Sequence, residues 1–328
     1  MADAPPPPPK PDRDGPGLLA LTTRRLVCLA SFAAAAASLY AGFDALHWTA
    51  RLVTPFRPQL LAAGVGLLLL SLIVRGGWSS LTASTAAIAI NLSYLWPWLL
   101  PVTGPPPTES FQLISWNTWT GHETPTEVSK LVAESGVDVA LLCELPRSLI
   151  GPTPPRIEGY DTDSHDQYAI AVRRGGPVEL ISTRFARPPY ALEARVRYGE
   201  REIRLLVLHA TRPTTREGCR IQDVQMMGLR SWFDTSPLPT VIVGDFNQTP
   251  WCPRLSEVIA GLGLTDTSRG RGLTYTYPAG VPLLSRLVGV PIDQCLITPD
   301  LACGSRWVGN AHGSNHRPVY AEVGFRSD

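Results

Sequence analysis

Three apolar blocks near the N-terminus restrict what this chain can fold into more than any other feature. Leu26 to Leu46 is apolar apart from small hydroxyls and one late acid, Asp44; Leu60 to Val74 and Leu81 to Leu100 follow. The first and third are long enough to cross a hydrocarbon core of about 30 Å, and the second is if it begins near Arg57. A buried helix of a soluble protein explains one such block. Three in succession, ahead of a chemically different half, predict a three-helix transmembrane anchor over residues 26–100. Residues 1–25, with Pro5 to Pro9 consecutive, read as a disordered cytoplasmic tail. Thr23-Arg24-Arg25 faintly resembles a twin-arginine export signal, but no Ala-x-Ala cleavage site follows, so the segment reads as a retained anchor.

The positions of basic residues set the expected orientation. Lys10, Arg13, Arg24 and Arg25 precede the first block, and Arg75 lies between the second and third. Arg51 and Arg57 are the arginines between the first two, and Gly76 to Ser129 contains no Lys or Arg. This bias predicts a multi-pass plasma-membrane protein, N-terminus in the cytoplasm and the rest of the chain outside. Residues 101–110, with Pro105-Pro106-Pro107, read as a stiff linker reaching at most roughly 30 Å. The domain over 111–328 is thus expected close to the membrane surface.

That domain alternates strand and helix patterns. Phe111 to Trp116 is an apolar strand ending at Asn117. Thr124-Pro125-Thr126-Glu127 fits a capping box opening a helix to about Ser135. Val137 to Leu142 is a strand ending at Glu144, and Tyr168 to Arg173 is another. Ala191 to Arg197 and Glu202 to Leu208 form a hairpin about Tyr198-Gly199, the second arm running into His209. A helix over about 218–233 precedes Val241-Ile242-Val243-Gly244-Asp245-Phe246-Asn247-Gln248-Thr249-Pro250, a buried strand broken by glycine and proline. Ile292 to Ile297 and Pro318 to Val323 close the set. Residues 111–328 hold 22 Lys/Arg and 23 Asp/Glu, a net charge of −1, with no basic stripe. Six cysteines without a CxxC or Cys/His cluster argue against zinc.

Polar residues recur at the ends of these apolar strands: Asn117, Glu144, His209, Asp245 with Asn247, Asp293 and His316. Asp245 and Asn247, two positions apart, point the same way off a strand. Buried groups of this kind need one another, a metal or a ligand as partners, so the set marks a site.

In order, Ser115-Trp116-Asn117, Cys143-Glu144, Leu208-His209, Gly244-Asp245-Phe246-Asn247, Ile292-Asp293 and Ser314-Asn315-His316-Arg317-Pro318-Val319 resemble the motifs of the endonuclease/exonuclease/phosphatase superfamily. The resemblance spans nearly all of 111–328. It implies an α/β fold of two packed mixed β-sheets flanked by helices, a four-layer sandwich, here behind three transmembrane helices. It also implies Mg²⁺, for which Mn²⁺ can substitute, held by Glu144 with Asn117 and Asn315. Asp245 would activate water, Asn247 would orient it or hold a phosphate oxygen, and Asp293 would fix His316 against the scissile phosphate. His209 would contact phosphate or protonate the leaving group; Asn117, Asn247, His209 and Arg212 would bind substrate. Asn315 stands where many members carry Asp, and Cys143 where many carry Gln, so metal binding without substrate is expected to be weak.

With its apolar anchor, the whole chain is similar to membrane-anchored VanJ-type teicoplanin-resistance proteins. That implies hydrolysis of a lipid-linked pyrophosphate, undecaprenyl pyrophosphate first, in cell-wall metabolism and glycopeptide resistance, with the bilayer as partner and no nucleic acid. Two alternatives remain: an extracytoplasmic nuclease or other phosphodiesterase with Arg173-Arg174, Arg195, Arg197 and Arg212 as a basic patch, and a non-catalytic membrane sensor or binding module. Arg216 and Arg220 are further phosphate candidates or part of a solvated basic face, and Arg317 binds substrate or pairs with a neighbouring acid. Trp96, Trp98, Tyr94 and Trp251 are candidates for the membrane interface. Outside the cytoplasm Cys219 and Cys252 are candidates for a disulfide, and apolar Val281 to Val290 for a loop touching lipid.

Overall fold

The computed structural model describes residues 17–101, 106–121, 124–151, 153–279, 285 and 287–326. Residues 1–16 of the expected tail fall outside these residues, as do 102–105 of the linker and most of the 281–286 part of the apolar loop; residues 18–25, expected in that disordered tail, instead belong to a helix that begins at Leu18.

Three helices come first, each antiparallel to the next: α1 (Leu18–Tyr40), α2 (Arg57–Ile73) and α3 (Trp78–Leu99). Short 3-10 turns at Ala41–Phe43, Trp48–Leu52 and Thr54–Phe56 lengthen the first two, so that Leu18–Phe43 and Trp48–Ile73 are each 26 residues of helical, apolar chain. Both are long and apolar enough to cross a membrane. The expected third span is not confirmed on that measure: α3 has 22 residues, and hydroxyls and an amide dilute its apolar character. Ser84 and Asn91 among them face α1, while Ser79, Thr82, Thr85 and Ser93 are exposed. Ser84 Oγ donates to Ser31 Oγ (2.9 Å) and Asn91 Nδ2 to Ser38 Oγ (2.7 Å), with Ser80, Ala83 and Ala87 buried on the same side. Small residues let helix backbones approach this closely. Arg24 Nε donates to Val74 O (2.8 Å) and satisfies a carbonyl at the end of α2.

The remaining chain contains β1 (Phe111–Asn117), α4 (Pro125–Ser135), β2 (Val139–Cys143), β3 (Tyr160–His165), β4 (Tyr168–Arg173), β5 (Val178–Ala186), β6 (Ala191–Tyr198) and β7 (Arg201–His209). Then follow α5 (Arg216–Phe233), β8 (Thr240–Asp245), α6 (Pro253–Gly261), β9 (Thr265–Asp266), β10 (Asp293–Ile297), β11 (Leu301–Val308) and β12 (Val319–Phe325). One sheet runs β11-β12-β1-β2-β4-β3 and the other β5-β6-β7-β8-β10-β9. Each is mixed, with β1–β2 and β7–β8 as parallel pairs.

The sheets pack face to face through Leu113, Leu141, Ile170, Leu205, Val207, Val243 and Cys295. Residues one step along the same strands point outward. Leu206, Leu208 and Ile242 meet Met226, Leu229 and Leu255 of α5 and α6; Ile114, Ala140 and Leu142 meet Val128 and Val132 of α4. Both faces of the central strands are therefore covered, which is why they read as unbroken apolar runs. The arrangement is the expected four-layer α/β sandwich.

Several local expectations change. α4 begins at Pro125 as expected, but the Thr124 side chain makes no capping bond to it. Strands β3, β5, β9 and β11 and helix α6 had no counterpart in the sequence reading. All six cysteines are free thiols: Cys219 Sγ donates to Pro213 O, and Cys252 Sγ lies 3.2 Å from Thr249 Oγ1, so the candidate Cys219–Cys252 disulfide is not formed. Trp98 and Trp251 are not interfacial; they are buried edge to face, 5.9 Å between ring centroids, where the helices meet the sandwich. Trp96 is exposed, and the Tyr94 ring lies under the Arg57 guanidinium at 3.4 Å.

Candidate active site

Strand register gathers the polar residues. In one sheet His209, Asp245 and Asp293 are neighbours across β7, β8 and β10. In the other, Asn117 of β1 pairs with Cys143 of β2, and Glu144 follows. Because the sheets face each other, the two rows meet at one end of the sandwich. Glu144 (φ 51°) and Asn247 (φ 49°) hold left-handed backbones just past their strands, which turns them back over the strand ends. Such conformations in residues other than glycine cost about 1–3 kcal/mol and concentrate at functional sites.

Asp245 lies at the centre, fully buried. It accepts from Asn247 N (2.7 Å), Asn117 Nδ2 (3.0 Å) and Asn247 Nδ2 (3.2 Å), and both histidines approach it, His316 Nε2 at 3.7 Å and His209 Nε2 at 3.8 Å. Asp293 Oδ2 is 2.9 Å from His316 Nδ1, which fixes the ring with Nε2 toward Asp245. Ser314 Oγ receives His316 N (3.0 Å) and donates to Asn117 O (2.8 Å), and Trp116 Nε1 donates to His316 O, so the histidine loop is tied to β1. His209 Nε2 is 3.0 Å from Glu144 Oε1, an ion-pair contact not aligned as a hydrogen bond. Arg212 Nη2 completes the rim, 3.9 Å from Glu144 Oε1.

The electrostatics follow from this packing. Burial opposes the charge on Glu144, but the His209 contact and Arg212 outweigh it and hold the carboxyl at about 2. Burial likewise opposes charge on His316, yet Asp293 and Asp245 push it up to about 9, so the ring is an imidazolium at neutral pH. His209 is also raised, burial being overcome by Glu144 and Asp245. Asp245 is raised by burial and by Asp293, against the pull of His316. A general base works best with a pKa nearer the working pH than a free aspartate has.

Every residue singled out as catalytic, with Glu144 and Asn117, falls in this cluster. Asn315 sits beside His316 and carries a buried side-chain oxygen without a bonding partner. Among the other basic candidates, Arg220 pairs with Glu217 (2.7 Å), Arg216 is exposed, and Arg317 donates to Gly309 O (2.7 Å) and packs on Tyr275, with no acid paired to it among the described residues. Sequence reasoning missed Thr276 and Tyr277. Thr276 Oγ1 accepts from Ile292 N (3.1 Å) and Asp293 N (3.2 Å), and the Tyr277 ring lies 4.8 Å from that of His316. It also missed Gln222 and Gln225 on α5, which hold Phe246 O and Thr211 N behind the site.

The residues fit a hard divalent ion. Ligand atoms of Glu144, His209 and Asp245 lie within 4.8 Å of one another, as do those of Asp245, Asp293 and His316. Both groups offer carboxylate oxygens, donors suited to such an ion, and one or two carboxylates are enough when substrate phosphates supply further oxygens.

Comparison with known proteins gives the fold its family. The model of the endonuclease/exonuclease/phosphatase family matches residues 114–316. No match was found among curated proteins. Solved structures with the same fold include a Neisseria 3′ phosphatase, NExo, bound to a product DNA hairpin (19% identity, TM-score 0.52, 66% of this chain and 100% of that one). D. rerio TDP2 complexed with a single-stranded DNA product is another (15%, 0.51, 66% and 99%). The human Nocturnin catalytic domain with bound sulfate is a third (14%, 0.50, 68% and 96%). The family match covers more than half of the chain, and every strand-end residue from Asn117 to His316 lies inside it; the chain belongs to the endonuclease/exonuclease/phosphatase family.

Proposed function

We propose that the protein is a membrane-anchored, Mg²⁺-dependent phosphoesterase that hydrolyses a lipid-linked pyrophosphate, undecaprenyl pyrophosphate first, at the outer face of the plasma membrane. A role in teicoplanin resistance would follow from that activity. The observation that carries the catalytic reading is Asp245, a fully buried carboxylate that two histidines and two asparagines approach.

In this reading Glu144, Asn117 and Asn315 hold the metal, which supplies positive charge to the non-bridging phosphate oxygens. Asp245 takes the proton of the attacking water, and Asn247, bonded to it, sets the water's line of approach. His316, held as an imidazolium by Asp293, stabilises the charge that builds on the transferred phosphoryl group. His209 gives its proton to the departing oxygen as the P–O bond breaks, and Arg212 holds the far phosphate.

The lipid and the outer location draw support from the helices. Arg51 and Arg57, which stand against the charge rule in the sequence, are 7% and 0% exposed, the first bonded to α5 of the sandwich and the second enclosed by Ser38, Asn91 and Tyr94 of the helices, while Arg25 and Arg75 are exposed at the opposite end. Among the described residues of the helices, the exposed positive charge therefore lies at one end. An outer location also requires α3 to cross with its two apolar partners, Ser84 and Asn91 turned onto α1. Labelling of a cysteine introduced at Thr108 by an impermeant reagent on whole cells tests this, and protection of that cysteine would overturn it.

A second reading, hydrolysis of nucleic acid, is favoured by the DNA seen with NExo and TDP2. Against it, several arginines of the sandwich are committed to acids, as Arg174–Asp161, Arg184–Glu193 and Arg197–Glu179 are. Phosphate backbones need free cations along a groove. The deciding experiment is phosphate release from undecaprenyl pyrophosphate by detergent-purified protein, beside Asp245→Ala. Release that requires Mg²⁺ and is lost in the variant is expected. Failure to release phosphate, with nicking of plasmid DNA by the same preparation, would replace the lipid with nucleic acid.

A further inference from the structure

The helices do more than hold the sandwich near the membrane. Gln59, in the first turn of α2, donates from Nε2 to Leu287 O (3.2 Å) and Gly289 O (3.2 Å). That stretch is clamped: Gly289 N bonds Ser285 O, and a Cβ on Gly289 would lie 2.1 Å from that oxygen and 2.7 Å from the Tyr275 ring. Val290 then pairs with Tyr277 in both directions, N to O at 2.7 and 3.1 Å, and Thr276 N also bonds Val290 O (3.1 Å). From Thr276 and Tyr277 two contacts enter the site. Thr276 Oγ1 holds the amides of Ile292 and Asp293, and the Tyr277 ring packs on His316. A single line of hydrogen bonds thus runs from a membrane helix to the Asp293–His316 pair.

The end of α3 grips the same loop from the other side. Pro97 O and Trp98 O accept from Gly270 N and Gly272 N (3.1 Å each), so the loop satisfies carbonyls that a helix end leaves open. Trp98 Nε1 adds bonds to Asp266 Oδ2 and Ser268 Oγ (3.0 Å each). Behind Asp245, Trp251 Nε1 donates to Thr54 O (3.1 Å), and Arg51 forks onto both oxygens of Asp223 on α5 (2.9 Å each).

We propose that Gln59 is a positioning residue for catalysis: through the 276–277/290 pair it sets the Asp293–His316 couple, so that the membrane helices are an integral part of the active site. This rests on the catalytic reading of Asp293 and His316 above. A tether alone leaves turnover of a water-soluble substrate untouched by a change at Gln59. Positioning does not, since a displacement of about 1 Å at reacting groups lowers rates by up to about 10²-fold.

The test uses the full chain in detergent with Mg²⁺ and bis-p-nitrophenyl phosphate, comparing wild type with Gln59→Met, which keeps side-chain length and removes the donor. The expected result is a fall in kcat of about tenfold or more with KM changed less than about twofold. Hydrogen exchange supplies a readout that needs no substrate: Gln59→Met is expected to speed exchange in peptides covering 287–293 and to leave β7 unchanged. Wild-type kcat, or unchanged exchange over 287–293, would overturn the proposal. Should the wild-type chain hydrolyse neither soluble nor lipid substrate, the catalytic reading fails, and the exchange measurement still decides whether Gln59 orders the loop.

Discussion

Glu144 keeps its charge in a place where burial alone would neutralise it. His209 and Arg212 stabilise the anion, and the same two cations compete with a metal for it. Binding of Mg²⁺ to the protein alone is therefore expected to be weak and to tighten when substrate phosphates add oxygens. Glu144→Gln removes the only carboxylate in the proposed metal set. It should raise the Mg²⁺ concentration for half-maximal activity by about tenfold or more, read from a metal titration of phosphate release; an unchanged midpoint would remove Glu144 from the set. At this scale the sequence was informative where a polar side chain ends an apolar run, as at Asn117, His209 and Asp245. Thr276 and Tyr277 were hidden because they sit in a loop with no period, and only the return of residues 289–290 beside them gives them a role. Arg317 was misjudged in the other direction: its place in the histidine motif suggested an acid or a phosphate, and the fold spends it on the carbonyls of Val308 and Gly309.

Gly244 decides how closely β7 and β8 run beneath the site. Its φ is 126°, and a Cβ there would lie 2.0 Å from Leu208 O, a backbone atom with no freedom to move aside. Gly244→Ala should push the strands apart where His209 and Asp245 are paired, destabilising the protein by about 2–4 kcal/mol. A urea midpoint indistinguishable from wild type would show that the strands do not approach this closely. Central strands such as β7 and β8 were legible because both of their faces are buried. The elements that escaped lie at edges. Tyr160-Asp161-Thr162-Asp163-Ser164-His165 of β3 and Val178 to Ala186 of β5 each close a side of their sheet and carry polar residues on an open face. In β11 a register shift between Cys303 and Arg306 breaks the alternation that would have revealed it. Helix α3 carries the same lesson among the helices: its hydroxyls and amide lower its apolar character along the chain, but two of these residues, Ser84 and Asn91, face inward onto α1.

The molecule behaves as one body rather than a domain on a leash, and Asp44 shows how that joint responds to pH. The carboxyl is 1% exposed where the α1–α2 connection meets α6, accepts from Arg254 N (3.4 Å), and has Arg51, Arg57 and Glu257 nearby. Burial raises it from 3.8 to about 6 despite Arg254 N and the two guanidinium groups. A carboxyl raised on folding stabilises the joint fully below its unfolded pKa of 3.8, and this contribution is lost as pH rises through about 6. The melting temperature of the detergent-solubilised chain should therefore fall by several degrees from pH 5 to pH 7.5, and Asp44→Asn should flatten that slope; an equal slope in both proteins would contradict the assignment. Arg51 carries a consequence of a different kind, in time rather than in energy. Its partner Asp223 lies 172 residues further along the chain. At about 5–20 residues per second, a ribosome needs about 10–30 s to reach it. In the proposed membrane topology the first two helices would thus commit to the bilayer while the loop between them still carries a bare guanidinium, and a nascent chain stalled short of α5 would display the charge that the finished protein conceals.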